Sequence, residues 1–400
     1  MAELNVLLII GSSILISLAA GKFINKFKFP MVVGYVIIGV ILGKSFLNLL
    51  KPEIVERTHL LNDLALGIIA FMIGGELNLV RLREVGKAIF LITLFESLGA
   101  FFLVSLSSYL LTKKISLSLI LGSIASATAP AATVAVINQY KARGPLTDTI
   151  LGIVGSDDAI ALIIYSFASS LAFHLITHNS LSFFATFLNP LKKILLSILI
   201  GGALGLSLSY ILNRIKSKEE GFAITMGIFL LGEGLALEFD LSELLLIMSL
   251  AFVASNLAFR KFNPVMNTLN IVGFPLISAF FCLAGTRLDI NLLPKIGILG
   301  FVYLIARLVG KFFGAQFGAN LASAPKVIKK YVGLCLWPQI GVAVALAILV
   351  ERDFGKLGIV GHNLANIAIN ILLFTTIFTE IIGPLATKFA LTKAKEIKRK

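Results

Sequence analysis

The chain has 400 residues, of which 58% are hydrophobic and 14% charged, with a mean hydropathy of +0.96. A soluble domain carries about a quarter charged residues, so this composition excludes a globular protein solvated by water and makes lipid the solvent. The net charge of +14 does not point to nucleic acid, because the basic residues are spread over short connections between apolar runs and form no single patch.

Apolar runs near 20 residues long, without strict alternation, predict helices and not barrel strands. In chain order they fall at about 4–20, 30–47, 60–79, 86–111, 116–138, 146–174, 191–213, 220–238, 242–259, 268–287, 296–320, 330–350 and 363–388. The result is an all-α polytopic membrane protein with thirteen spans and one domain over 1–400. The first run has Glu3 before it and no basic residue, so it reads as a retained helix rather than a cleaved signal. The connection at 175–190 is Ser/Phe-rich and reads as a loop or an interfacial helix. Cys282 and Cys335 lie inside apolar runs, where they read as small buried residues.

Lys and Arg in alternate connections number 22 in one set and 11 in the other. The richer set includes Lys22, Lys26 and Lys28, then Lys326, Lys329 and Lys330, and the tail through Lys398, Arg399 and Lys400. It belongs in the cytoplasm by the positive-inside rule. The N-terminus is then outside and the C-terminus inside a prokaryotic-type inner membrane. His59, His174, His178 and His362 fall on the outside as loop residues.

Thirteen spans divide into a six-helix unit over 1–175, a linker helix over 191–213 and a second unit over 220–388. An odd linker puts the second unit into the membrane upside down, the arithmetic of an inverted repeat. Spans five and twelve then correspond, and both carry helix breakers at mid-membrane: Thr128-Ala129-Pro130 in one and Pro338-Gln339-Ile340-Gly341 in the other. Proline removes a backbone donor and clashes with the preceding turn. Backbone freed in this way is tolerated at membrane depth only where it is buried in protein or lines a cavity. Two broken, crossing helices are therefore expected.

The chemistry lies in span six, at Gly155-Ser156-Asp157-Asp158-Ala159-Ile160. One charge at the bilayer centre costs about 2.5–3.5 kcal/mol on insertion scales, and two adjacent carboxylates repel as well. Such a pair persists where cations or protons compensate it. The compensating charges are in span eleven, where Arg307 and Lys311 stand four apart on one helix face. A lysine desolvated beside a carboxylate can titrate, whereas arginine stays charged. Lys311 is the functional candidate, and Arg307 reads as a fixed structural charge. Asp63, Glu76, Glu96, Glu233 and Glu380 are further ionisable residues in the spans. Glu76 and Glu380 fall near cytoplasmic helix ends, Glu96 and Glu233 deeper, and all five read as interfacial or structural groups. The chain contains no Gly-x-x-x-x-Gly-Lys-Ser/Thr loop for ATP and no nucleophile–base or metal constellation. A transporter driven by an ion gradient is expected, not an enzyme, and no cofactor is called for.

These residues resemble the monovalent cation/proton antiporters, in particular the branch with an Asp-Asp pair. Val33-Gly34-Tyr35 through Leu42-Gly43 looks like the family's second helix, and Phe71-Met72-Ile73-Gly74-Gly75-Glu76-Leu77 like the end of its third. Leu121 through Pro130 looks like the first broken helix, Phe274-Pro275-Leu276 through Ala284-Gly285 like the tenth, and Leu336-Trp337-Pro338-Gln339-Ile340-Gly341 like the second broken helix. The resemblance runs the length of the chain. It implies that Asp158 carries the cation and proton and that Asp157 pairs with Lys311 in the cation-free state. Thr128 and the Ala129 carbonyl would complete an oxygen cage for Na⁺ or Li⁺, and the protein would be a homodimer. Relatives that carry K⁺ often append a cytosolic nucleotide-binding domain, and the end of this chain soon after span thirteen favours Na⁺. If Na⁺ drew Asp157 away from Lys311, the lysine would lose its partner and release a second proton, making the exchange electrogenic. K⁺/H⁺ exchange is the alternative within the class, and a sodium-coupled organic-anion symporter the alternative outside it.

Overall fold

The structure is a computed structural model and describes residues 5–27, 30–50, 58–77, 79–154, 156–177 and 188–397. Lys28, Lys51, Arg57, Gly155, His178, Lys398, Arg399, Lys400 and most of the 175–190 connection lie outside the described residues. Every regular element among the described residues is helical. In chain order these are α1 (Val6–Asn25), α2 (Met31–Leu42), α3 (His59–Glu76), α4 (Leu79–Thr112), α5 (Ile115–Ser126), α6 (Pro130–Tyr140), α7 (Pro145–Val154) and α8 (Asp157–Thr177). There follow α9 (Asn189–Arg214), α10 (Lys218–Glu238), α11 (Glu243–Leu257), α12 (Phe259–Gly285), α13 (Leu293–Leu321), α14 (Lys326–Tyr331), α15 (Val342–Phe354) and α16 (Gly358–Lys393). Among the described residues eight stretches are long and apolar enough to cross a membrane, and α2, α5 and α11 are shorter apolar helices. The exposed side chains of the long helices include many large apolar ones, such as Leu103, Leu106, Leu199, Ile271 and Phe301. That is the surface a bilayer solvates.

Two compact units form. The first gathers 1–56, 85–181 and 281–400, the second 57–84 and 182–280. In the second unit, α11 is buried along most of its length, from Glu243 to Met248 and at Leu250, Ala251 and Ala254. A helix apolar all round belongs inside. Side-chain hydrogen bonds pin it: Ser249 donates to the Ile198 carbonyl at 2.9 Å, and Asn256 donates to the Leu77 carbonyl at 2.8 Å. Phe71 stacks on Phe262 and meets Phe229 edge-on, with centroids 5.5 and 6.1 Å apart. α12 begins at Phe259, well before the expected 268. Its basic start, Arg260-Lys261, looked like a connection. The helix continues through it, and Lys261 reaches the Ile215 carbonyl just past the end of α9 at 2.9 Å.

The first unit holds both helix breaks. α5 stops at Ser126, Ala127 and Ala129 are extended, and α6 starts with Pro130 at its first turn. Proline biases the residue before it to extended backbone and is well accommodated at a helix start, where its missing N–H is not needed. In the second break α14 tightens to a 3₁₀ turn over Val332–Leu336, the chain runs non-helically from Trp337 to Ile340, and α15 begins at Val342. Gly341 turns the corner at φ 48° and ψ −114°, a conformation that strains any residue with a Cβ. The expected run at 146–174 falls in one of the eight long apolar stretches, Pro145–Thr177. Within it Ser156 lies in a turn, and Asp157 and Asp158 follow in the first turn of α8.

Candidate cation site

The two breaks leave helix-end carbonyls without intrahelical donors, and buried carbonyls need partners. The breaks first serve one another. The Ala129 N–H donates to the Pro338 carbonyl at 2.9 Å, the Thr133 hydroxyl to the Cys335 carbonyl at 2.8 Å, and Gln339 Nε2 to the Ile124 carbonyl at 2.9 Å. The two broken stretches therefore cross in contact. Gln339 is held in turn by the buried Tyr303 hydroxyl, 2.9 Å from Nε2.

Arg307, fully buried on α13, serves both breaks at once. Its Nε donates to the Ala125 carbonyl at 3.1 Å and Nη2 to the Ala127 carbonyl at 2.9 Å. On the other side Nη1 donates to the Trp337 carbonyl at 2.6 Å and Nη2 to the Pro338 carbonyl at 3.3 Å. The rigid fork of the guanidinium suits four fixed acceptors. Arg307 thus bridges the two breaks through their backbone carbonyls.

One turn further along α13, Lys311 is also fully buried. Its Nζ donates to the Ser126 carbonyl and, at 2.8 Å, to Thr128 Oγ1. Its carboxylate partner is Glu96 of α4, with Nζ 2.5 Å from Oε2. The expected partner, Asp157, lies within electrostatic reach of Lys311 but is not ion-paired with it among the described residues. Glu96, one of the further ionisable residues of the spans, therefore meets Lys311 directly.

Asp157 and Asp158 are both buried in the first turn of α8, where the helix N-terminus favours negative charge. Asp157 lies beside the Thr128 hydroxyl and within electrostatic reach of Lys311 and Glu96. Neither of its oxygens completes a hydrogen bond among the described residues. Thr128, Ala129 and Asp157 are therefore brought together with Lys311, while Pro130, Pro338, Gln339 and Gly341 shape the crossing. Glu380 was expected near a cytoplasmic helix end, but it is fully buried on α16 beside Gln339 and Arg307. The α16 backbone reaches the second break nearby, since a Cβ on Gly383 would stand 2.5 Å from the Pro338 ring. Glu76 is exposed, as expected for a helix end, and Cys282 and Cys335 are buried and free. Among the described residues no cluster of His, Cys, Asp and Glu has the arrangement of a resident metal site.

Residues 12–393 match the family described as sodium/hydrogen exchanger, transmembrane. The ammonium/H⁺ antiporter subunit AmhT of Alkalihalophilus pseudofirmus is 24% identical over 390 residues, covering 96% of this chain and 95% of the relative. A Na⁺/H⁺ antiporter of Enterococcus hirae is 24% identical over 314 residues, or 76% of this chain and 80% of the relative. The fold is that of the sodium proton antiporter MjNhaP1 from Methanocaldococcus jannaschii, with a TM-score of 0.78 at 17% identity over 96% of this chain and 97% of that one.

Proposed function

The chain belongs to the sodium/hydrogen exchanger family, and from that premise we propose that it exchanges Na⁺ for H⁺ across a membrane by alternating access, with Asp157 and Asp158 as the shared site. The observation that carries this reading is Asp157. It is a fully buried carboxylate beside Thr128 whose oxygens complete no hydrogen bond among the described residues. An ionised carboxylate in that setting is costly unless a cation or proton joins it.

The chemistry follows from competition. Asp158 holds either a proton or Na⁺, and Asp157 shares the load. Na⁺ favours hard oxygen ligands, which the two carboxylates, the second lone pair of Thr128 Oγ1 and the Ala129 carbonyl supply. Arg307, held by four backbone carbonyls, stays in place as a fixed charge. Since one site faces either side in turn and takes one kind of ion or the other, the proton gradient drives cation movement without ATP.

The protein is a multi-pass membrane protein. The reading extends to thirteen spans in an inverted repeat, with the N-terminus outside and the C-terminus in the cytoplasm of a prokaryotic-type inner membrane, and to a homodimer. Two breaks at corresponding positions, hydrogen-bonded to one another, support the repeat. The test is purified protein in liposomes with a fluorescent pH probe, given Na⁺, Li⁺, K⁺ and NH₄⁺ in turn. Na⁺ and Li⁺ should move protons at least about tenfold more effectively than K⁺, an affinity difference of roughly 1.4 kcal/mol. A response to K⁺ or NH₄⁺ alone would reassign the cargo.

A further inference from the structure

α13 carries Gly310, Gly314 and Gly318, spaced by four and so aligned on one face. That face lies against the backbone of α4. A Cβ on Gly310 would stand 2.5 Å from the Gly99 carbonyl oxygen, one on Gly314 2.2 Å from that of Phe95, and one on Gly318 2.4 Å from that of Leu91. No other residue type fits such a seam, and small residues are what lets membrane helices approach this closely. Glu96 follows Phe95, and Lys311 follows Gly310. The seam therefore delivers a carboxylate and an ammonium, both fully buried, to one another at 2.5 Å. Ser97 fixes the carboxylate from the other side, donating to Glu96 Oε1 at 2.9 Å.

The ammonium has three hydrogens, and three acceptors surround it: Glu96, the Ser126 carbonyl and Thr128 Oγ1. None remains for Asp157, whose oxygens are left open among the described residues. Resting on the exchange reading above, we infer that Glu96 is a positioning residue of the site. It is the fixed counter-ion that holds Lys311 against the first break and so leaves Asp157 to the exchanged ions.

The test uses the full chain in liposomes, with Na⁺ titrated for transport and, in parallel, for its effect on melting temperature. In E96Q the orphaned ammonium turns to Asp157 and competes with Na⁺. The KM for Na⁺ and the binding midpoint should rise at least about tenfold, with a smaller change in maximal rate. E96D keeps the charge and should stay within about threefold of wild type in KM. E96Q/K311Q removes the competing charge together with its partner, and should bring KM at least about threefold below that of E96Q. The double variant also serves if E96Q alone fails to fold. A wild-type KM in E96Q, or a tenfold increase persisting in E96Q/K311Q, overturns the inference. Should the wild type move no protons with Na⁺, the exchange reading fails by itself, and the binding midpoints still decide the role of Glu96.

Discussion

Arg307 shows how a single side chain makes two broken helices compatible. Four carbonyls from two breaks point at one place, and in a low-dielectric interior each orphaned carbonyl is expensive. A guanidinium meets them with donors in fixed directions, which lysine cannot do. Arg307→Lys keeps the charge and loses the fork, so it should lower stability by about 2–4 kcal/mol, the equivalent of one or two charge-assisted hydrogen bonds. The reading is the unfolding temperature of purified protein in detergent. A lysine variant that melts with wild type would mean the carbonyls have other partners. From the sequence Arg307 reads as a fixed charge because arginine does not deprotonate, but the four carbonyls it meets lie in two segments remote from it in the chain. The contact between Glu96 and Lys311 was not legible. Nothing local to Glu96 distinguishes a structural glutamate from a site residue. Its signal is the Gly310, Gly314, Gly318 ladder on another helix, which acquires meaning only when α4 and α13 are known to be neighbours. Glu380 was misplaced for a related reason. Its distance from the end of the apolar run suggested an interface, whereas α16 extends beyond that run, from Gly358 to Lys393.

At the scale of elements, the breaks were the most legible features, since proline chemistry is local. Pro130 starts α6, and the Pro338 segment stays non-helical up to Gly341. The turn at Ser156 is not legible in hydropathy, because Ser156 sits in an apolar run. Asp157 and Asp158 follow it in the first turn of α8. α7, the helix that leads to them, is capped from far along the chain. Glu396 accepts from the Leu146 and Thr147 N–H groups and from the Thr147 hydroxyl, each at 2.7 Å. The Arg143 N–H donates to the Glu396 carbonyl at 3.1 Å. A carboxylate at a helix N-terminus combines capping with a favourable dipole. Glu396→Ala should therefore lower stability by about 1–2 kcal/mol, and Glu396→Gln, which keeps an acceptor, by less. Both are read as shifts in unfolding temperature. Equal losses in the two variants would show that the acceptor oxygens are not what matters.

For the whole molecule, charge balance in the first unit states the functional problem. Among its described residues the buried charged groups are Glu96, Asp157, Asp158 and Glu380 against Arg307 and Lys311. Four acids face two bases, so about two positive charges must come from protons or cations whenever all four acids are ionised. Glu96 takes Lys311, and neither the Asp157 nor the Glu380 oxygens complete a hydrogen bond among the described residues. The proposed exchange places the deficit on the aspartate pair, where gain and loss of ions become transport. The most direct measurement of this account is Na⁺-driven proton movement by Asp158→Asn in liposomes, with its unfolding temperature taken on the same preparation. The amide has nearly the shape of the acid but cannot cycle a proton. The predicted result is wild-type folding with proton movement no greater than in empty liposomes. A folded Asp158→Asn protein exchanging Na⁺ for H⁺ at a rate within about threefold of wild type, less than 1 kcal/mol in barrier, would contradict it.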